Sequence, residues 1–192
     1  MLYQALGLLL LAAFYGCYFA KMIAQRRRGI ITDQLGKNKT GFVKGIEIAM
    51  KITTYLAPIA EIVSLLLGAT ACPGPVRMLG ALVGLAGVSV FVVSVVTMHD
   101  SWRAGVSATD KTELVTGGIY QYSRNPAFLG FDLVYIGFLL MFFNWPLMAL
   151  SVLAILMLHL QIVNVEEDFL LAAFGDDYLA YKRRVRRYIG RK

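Results

Sequence analysis

Long stretches without a charged residue constrain the fold of this chain more than any other feature. Met1–Ala20, Met78–Met98 and Leu133–Val165 each contain no Asp, Glu, Lys or Arg. A helix needs about 20 consecutive apolar residues to cross the roughly 30 Å hydrocarbon core of a bilayer. Over the 192 residues, hydrophobic side chains make up 58% and charged side chains only 16%. This composition excludes a disordered chain, a coiled coil and an ordinary soluble enzyme, and it predicts an integral membrane protein.

The number of spans follows from the lengths of these stretches. Leu133–Val165 is too long for one helix, because a helix of that length would extend about 50 Å. The tripeptide Asn144-Trp145-Pro146 divides it, since proline does not continue a helix interior. A more polar stretch with Glu47, Lys51 and Pro58 is also interpreted as a span, in which the two charged residues pair and the proline kinks the helix. We therefore expect an all-α integral membrane protein, one membrane domain over 1–192, with five transmembrane helices near residues 2–24, 46–69, 77–98, 127–143 and 147–165.

The basic residues indicate how the spans are oriented. They concentrate after the first and third spans and in the C-terminal tail, whereas the other two turns hold only Arg77. Because cytoplasmic loops are rich in Lys and Arg, five spans place the N-terminus outside and the C-terminus in the cytoplasm. The net charge of +7 then reflects topology and attraction to anionic lipids, so nucleic-acid binding is not expected. We expect a multi-pass protein of a prokaryotic cell membrane, or of the endoplasmic reticulum in a eukaryote.

Small and polar residues within the spans suggest how the helices pair. Gly80 and Gly84 form a small-xxx-small step that allows close helix packing in lipid. Glu61 and Asp132 lie within spans and are interpreted as buried helix-pairing groups rather than catalytic residues. Cys17 and Cys72 have no metal-ligand spacing, so no metal site is expected.

Three polar features late in the chain are candidates for a functional site. The fifth span ends in His159, Gln161, Asn164, Glu166 and Glu167, and ionisable groups at membrane depth are functional candidates, although a helix end emerging into water is the alternative. The other two features are a glycine-containing loop, Leu114–Phe128, in which Arg124 precedes proline, and the tail Phe174–Tyr181. The loop is either a ligand-binding segment or an ordinary turn with a positive-inside arginine. The tail is interpreted as an interfacial amphipathic helix with Tyr178, Tyr181, Val185 and Tyr188 on one face.

In series, these features resemble the isoprenylcysteine carboxyl methyltransferase family. The matching pieces are Leu114 to Tyr120, Arg124-Asn125-Pro126-Ala127-Phe128, Glu166-Glu167 and Phe174-Gly175 to Tyr181, and order and spacing both agree. The resemblance covers about residues 100–187. It implies transfer of the methyl group of S-adenosylmethionine to the C-terminal carboxylate of a prenylated cysteine or a similar lipid-linked acceptor, which enters from the bilayer.

The resemblance also implies which residues act. It places the cofactor on the cytoplasmic side, between the 99–126 loop, the last two spans and the amphipathic tail. The cofactor-binding residues would be Thr112, Glu113, Leu114, Val115, Gly117, Tyr120, Asn125, Pro126, Ala127, Phe128, His159 and Glu166. The catalytic candidates are Arg124, Glu167 and Arg103, of which either arginine would steer the substrate carboxylate. A carboxylate is already ionised at neutral pH, so the transfer needs desolvation and alignment rather than a base.

The sequence departs from the family pattern at two motif positions, and three alternative functions stay open. Asn125 stands where the pattern has His, and Phe128 where it has Tyr. No arginine shortly precedes the glutamate pair, so either the anchor for the substrate carboxylate differs or the substrate does. A phospholipid N-methyltransferase would share the cofactor but need a base such as Glu167 or His159. The more remote alternatives are an NADPH-dependent reductase of the sterol-reductase type and a non-enzymatic scaffold.

Overall fold

A computed structural model describes residues 1–37, 39–106 and 113–191, and the described chain is helical. Its α-helices are α1 (Leu2–Arg27), α2 (Gly41–Leu67), α3 (Gly74–Met98), α4 (Pro126–Met141), α5 (Trp145–Gln161) and α6 (Glu167–Arg184). A π-helical turn, Ile162–Glu166, joins α5 to α6, and short 3-10 turns lie at His99–Ser101 and Gly118–Gln121. The predicted all-α class is confirmed for the described residues.

Four of the helical segments are long and apolar enough to cross a membrane. They are Leu2–Arg27, Gly41–Leu67, Gly74–Ser101 and Trp145–Arg184. Helix α4 is equally apolar but has only 16 residues, which gives a length of about 24 Å. The structure therefore supports a multi-pass membrane protein, while the fifth crossing stays a prediction.

The predicted break between α4 and α5 is confirmed. Asn144 is the N-cap of α5, and its side-chain oxygen accepts a hydrogen bond from the backbone N–H of Leu147 at 2.9 Å. Its amide nitrogen donates to the Ser64 hydroxyl of α2 at 2.8 Å. Pro146 occupies the first turn of α5, where its missing N–H costs nothing. Asn144 and Pro146 thus separate α4 from α5, and Asn144 also ties the hairpin to α2.

Helices α3 and α4 pack closely through glycine. A Cβ atom added to Gly137 would lie 2.6 Å from the backbone nitrogen of Gly84 and 2.7 Å from the carbonyl oxygen of Gly80. One added to Gly130 would lie 2.9 Å from the backbone nitrogen of Phe91. The two backbones therefore approach along the small-residue step expected from the sequence. This pair forms one side of the bundle, and α1 packs on α3 while α2 packs on α5.

Helix α2 differs from the expectation in its ion pairing. It is continuous through Pro58, but Lys51 does not pair with Glu47. Lys51 instead forms an ion pair with Asp33 of the preceding loop at 2.6 Å. Glu47 is fully buried and accepts a hydrogen bond from the backbone N–H of Gly36 at 2.6 Å. The predicted pair is wrong because the α1–α2 loop folds back onto α2 and supplies a partner for each charge.

The tail turns at Gly175, where the backbone leaves the helical region with φ +49°. Beyond it, Tyr178, Tyr181 and Val185 are buried together and pack against Leu114 of the loop. Their interpretation as the lipid-facing side of an interfacial helix is therefore wrong for these three, because the loop before α4 covers them.

Candidate functional site

The C-terminal tail holds the loop before α4 in place. The Tyr181 hydroxyl donates to the carbonyl oxygen of Tyr120 at 2.6 Å. The side-chain amide of Asn125 donates to the Arg187 carbonyl oxygen at 3.1 Å. Gly118 in the turn before Tyr120 has φ +56°, a conformation that L side chains rarely adopt. Loop and tail, both singled out by the sequence, therefore form one unit at one end of α4 and α6.

Glu167 is the centre of a buried ionic cluster within this unit. Its carboxylate pairs with Arg124 at 3.1 Å, Lys182 at 2.8 Å and Arg187 at 2.7 Å. The Arg124 and Glu167 side chains are only 6% and 8% exposed, and Arg124 also donates to the Tyr178 hydroxyl at 2.6 Å. Burial alone would raise the pKa of the Glu167 carboxyl, but hydrogen bonds from Arg187 and Lys182 and the charge of Arg124 outweigh it and hold that pKa at about 2.

Glu166 has different neighbours, although it is adjacent in sequence. It is half-buried at the end of the π-helical turn, within electrostatic reach of Gln161, Glu47 and Lys39. Gln161 is fully buried, and its side-chain oxygen has no hydrogen-bond partner among the described residues. This second cluster is rich in acceptors, whereas the Glu167 cluster already contains three cations. The two glutamates therefore offer different chemistry.

His159 lies on α5 and contacts the end of the tail. Its Nδ1 is 2.6 Å from the Tyr188 hydroxyl, and the two rings stack with centroids 6.0 Å apart. This contact fixes the tail against α5 close to the Glu167 cluster.

An apolar cavity of about 410 Å³ lies between α1, α2, α4 and α5. Its walls include Leu11, Tyr15, Tyr18, Met50, Pro58, Phe131 and Leu158. Leu8 and Phe19 of α1 and Tyr55 and Ile62 of α2 also line it, and all four are substantially exposed. The cavity therefore opens between α1 and α2, on a surface that faces lipid if these helices span the membrane.

The polar end of the cavity is built from two chain segments. Asp33, Trp102, Arg103, Ala104 and Gly105 line it. The segments are joined as neighbouring strands would be, with Gln34 N donating to Ala104 O at 2.8 Å and Ala104 N donating to Thr32 O at 3.0 Å. Fully buried Gln25 donates to the Trp102 carbonyl oxygen at 2.8 Å. Charged groups thus stand at one end of an otherwise apolar space.

The structure does not bring the predicted site residues together in one place. Arg103, Ala127 and Phe128 line the cavity. Arg124, Asn125 and Glu167 belong to the loop–tail unit, in which Leu114 packs and Tyr120 is buried. Pro126 is buried in the first turn of α4, Val115 is half-buried, and Glu113 and Gly117 are exposed. Thr112 lies outside the described residues. Ala127 and Phe128 directly follow the loop, so they connect it to the cavity.

Sequence reasoning missed several residues of these sites. Asp33, Lys51 and Gln25 shape the polar end of the cavity, and Lys182 and Arg187 neutralise Glu167. In the sequence, Lys182 and Arg187 are only two members of a run of basic residues in the tail. No sequence pattern predicts that Asp33 pairs with Ala104, because this pairing depends on a loop that closes over the helix ends.

Comparisons with known proteins agree with the pattern of the late segment. A family model described as phospholipid methyltransferase matches residues 76–177, just over half of the chain. Protein-S-isoprenylcysteine O-methyltransferase of Schizosaccharomyces pombe is 35% identical over 72 residues, which cover 38% of this chain and 30% of that protein. Protein-S-isoprenylcysteine O-methyltransferase of Saccharomyces cerevisiae is 26% identical over 136 residues, covering 70% and 55% respectively. The chain thus spans about half or less of these curated relatives, and the resemblance noted in the sequence is confirmed.

Proposed function

Because this chain belongs to the phospholipid methyltransferase family, we propose that it transfers the methyl group of S-adenosylmethionine to the carboxylate of a lipid-linked acceptor, and specifically of a prenylated cysteine. The observation that carries the proposal is the apolar cavity with Arg103 and Asp33 at one end. A prenyl chain fits an apolar space that opens towards lipid, and the cysteine carboxylate fits beside Arg103 at the charged end. The names of the two curated relatives support the same acceptor.

The described residues fit S-adenosylmethionine at the acceptor-rich cluster. The cofactor carries an ammonium group, which needs hydrogen-bond acceptors and negative charge. Glu166 and the unpartnered oxygen of Gln161 supply both, close to the buried carboxylate of Glu47. Glu167 is less suited, because Arg124, Lys182 and Arg187 already occupy its oxygens. We therefore assign the contact with the ammonium group of the cofactor to Glu166. Residues 113–128 would contact the rest of the cofactor.

Methyl transfer to a carboxylate requires no general base from the protein. When bound, the cofactor supplies an electrophilic methyl group. The acceptor carboxylate is ionised at neutral pH, so no residue has to remove a proton. Arg103 orients that carboxylate from the cavity end, and Ala127 and Phe128 close the space next to it. Exclusion of water and alignment of the reacting atoms supply most of the acceleration.

Arg124 and Glu167 act on this reaction indirectly in our account. They are paired with each other and tied to the tail, so they hold the loop before α4 rather than contact the acceptor. Arg103 then takes the role of the arginine that is missing before the glutamate pair. The reaction would take place at the cytoplasmic face of the membrane, where the basic loops and tail lie under the positive-inside rule.

A transfer experiment tests the proposal. Detergent-purified protein receives S-adenosylmethionine with a labelled methyl group and either N-acetyl-S-farnesylcysteine or phosphatidylethanolamine. We expect label in the farnesylcysteine that is released by mild base, as a methyl ester requires. Base-stable label in the phospholipid would overturn the assignment in favour of N-methylation, for which a general base would be needed. Absence of transfer to either acceptor would overturn it as well.

A further inference from the structure

The apolar cavity is closed at the end away from its charged residues. The lining residues at that end are Leu8 of α1 and Ile62 of α2. Directly beyond them the two helices touch, since a Cβ atom added to Gly7 would lie 3.0 Å from the Leu65 side chain. The side-chain amide of Gln4 also donates to the Leu65 carbonyl oxygen at 3.1 Å. Gln4, Gly7 and Leu65 thus form a floor to the cavity.

The floor and the charged residues lie at opposite ends of the cavity on both helices. Lys51, in the N-terminal half of α2, pairs with Asp33 of the charged end, whereas the floor lies near the C-terminal end of α2. On α1, the Tyr18 ring lies 5.5 Å from the ring of Trp102, which lines the charged end, whereas the floor lies near the N-terminus. An acceptor whose carboxylate is held by Arg103 therefore extends its chain towards the floor.

The length of the cavity follows from two helices independently. On α2 its lining runs from Met50 to Ile62, which are 12 residues apart, and on α1 from Phe19 to Leu8, which are 11 residues apart. At a rise of about 1.5 Å per residue, these distances are about 18 Å and about 17 Å. The two helices therefore agree on the space that a lipid chain has between the charged end and the floor.

The prenylcysteines differ in length by one isoprene unit each. An extended chain advances about 1.2 Å per bond, so S-farnesylcysteine measures about 18 Å from its carboxyl carbon to the end of its chain. The geranyl compound measures about 13 Å and the geranylgeranyl compound about 23 Å. A chain that is too short leaves a void above the floor, where the cavity walls lose their contacts. A chain that is too long has to bend out between α1 and α2.

We propose that this cavity selects its lipid-linked acceptor by length, and that the floor at Gly7 and Leu65 sets the limit at a farnesyl chain. The inference deepens the proposed function and rests on it for the nature of the acceptor. Its test uses binding as well as transfer, so that the two can fail separately.

The test compares N-acetyl-S-geranylcysteine, N-acetyl-S-farnesylcysteine and N-acetyl-S-geranylgeranylcysteine. Equilibrium binding to the detergent-purified protein is measured without the methyl donor. Each ligand concentration is expressed relative to detergent, because longer chains partition more strongly into micelles. We expect the farnesyl compound to bind roughly threefold or more tightly than either of the others, since a void or a bent chain costs packing.

Leu8→Trp should shorten the cavity from the floor, because it places an indole ring in the space that the end of a farnesyl chain occupies. We expect the affinity for the farnesyl compound to fall roughly tenfold and the affinity for the shorter geranyl compound to be retained. Leu9→Trp is the matched control, because Leu9 is 66% exposed, as Leu8 is 60% exposed, but does not line the cavity. It should bind all three ligands as the unmodified protein does.

Two results would overturn the length selection. One is an affinity of the unmodified protein that continues to rise from the farnesyl to the geranylgeranyl compound. The other is a Leu8→Trp variant that binds the geranyl and farnesyl compounds with equally reduced or equally unchanged affinity. A farnesyl optimum in binding without any methyl transfer would overturn only the proposed function. Equal transfer to all three acceptors would overturn only the length selection.

Discussion

Adjacent residues of this chain have opposite surroundings at the glutamate pair. The π-helical turn Ile162–Glu166 ends between them, so Glu166 turns towards α2 and Glu167 towards the loop before α4. Such turns insert an extra residue into a helix and are frequent at functional sites. The two glutamates therefore have different environments, because Glu166 lies among hydrogen-bond acceptors and Glu167 is paired with three cations.

Glu166→Gln is expected to weaken cofactor binding and leave the fold intact. A charge-assisted hydrogen bond to an ammonium group contributes enough that its loss should lower affinity roughly tenfold or more. Equilibrium binding of labelled S-adenosylmethionine to the detergent-purified variant measures the effect. Asp168→Asn, an exposed neighbour, should bind as the unmodified protein does. Unchanged affinity in Glu166→Gln would remove Glu166 from the cofactor site.

Glu167→Gln is expected to destabilise the protein, because it leaves the Arg124 guanidinium buried without its carboxylate. Breaking a buried pair costs about 3 kcal/mol, seen as a lower melting temperature, whereas exposed Asp177→Asn should melt unchanged. Since the folded-state pKa of Glu167 is held at about 2, below its usual 4.5, its contribution is complete above pH 4.5 and is lost as the pH falls towards 2. Glu167→Gln should therefore lose less stability than the unmodified protein over that range, and an equal loss would contradict this role.

At the scale of helices, much of the fold could be predicted and some of its contacts could not. Runs without charge predicted the helices, and Asn144 predicted the α4–α5 break, because hydrophobic length and proline chemistry are local properties. The partner of Lys51 was mispredicted, since the α1–α2 loop brings Asp33 to it from outside the helix. The spacing of four residues on one helix predicted Glu47 as that partner, because this rule does not take the loop into account.

The packing of α3 on α4 gives a direct prediction. Gly137→Ala would place a Cβ against backbone atoms of Gly84 and Gly80, which cannot rotate aside as a flexible side chain would. The helices must separate, at a cost of about 1–3 kcal/mol, and the melting temperature in detergent should fall. The matched control is Gly16→Ala on α1, where no atom of the described residues lies within 4 Å of an added Cβ. If both variants melt alike, the close approach does not stabilise the bundle.

At the scale of the whole molecule, the cavity was the least predictable feature. Its walls come from α1, α2, α4 and α5, and its polar end comes from segments around residues 33 and 103 that are far apart in sequence. The motif segment predicted Arg103, Ala127 and Phe128, which do line it. Asp33 and Tyr15 could not be predicted, because cavity walls depend on how helices are placed relative to one another.

The number of crossings is testable through cysteine accessibility. Cys72 lies between α2 and α3, and Asp177 lies beyond α5. If α3, α4 and α5 all cross the membrane, Cys72 and a cysteine introduced by Asp177→Cys react with an impermeant maleimide from opposite sides. Cys17→Ala removes the other native thiol. Labelling of both positions from the same side would mean that the short helix α4 does not cross.

Methyl transfer from the cavity is the central claim, and blocking the cavity tests it most directly. The measurement is the rate at which base-labile methyl label appears in N-acetyl-S-farnesylcysteine with the unmodified protein, Thr54→Phe and Thr53→Phe. Thr54 lines the cavity, whereas its neighbour Thr53 makes similar backbone hydrogen bonds and does not. We predict ester formation by the unmodified protein and Thr53→Phe, and a loss of at least roughly tenfold in kcat/KM for Thr54→Phe with cofactor binding retained. No ester with the unmodified protein, or equal rates for the two variants, would contradict the account.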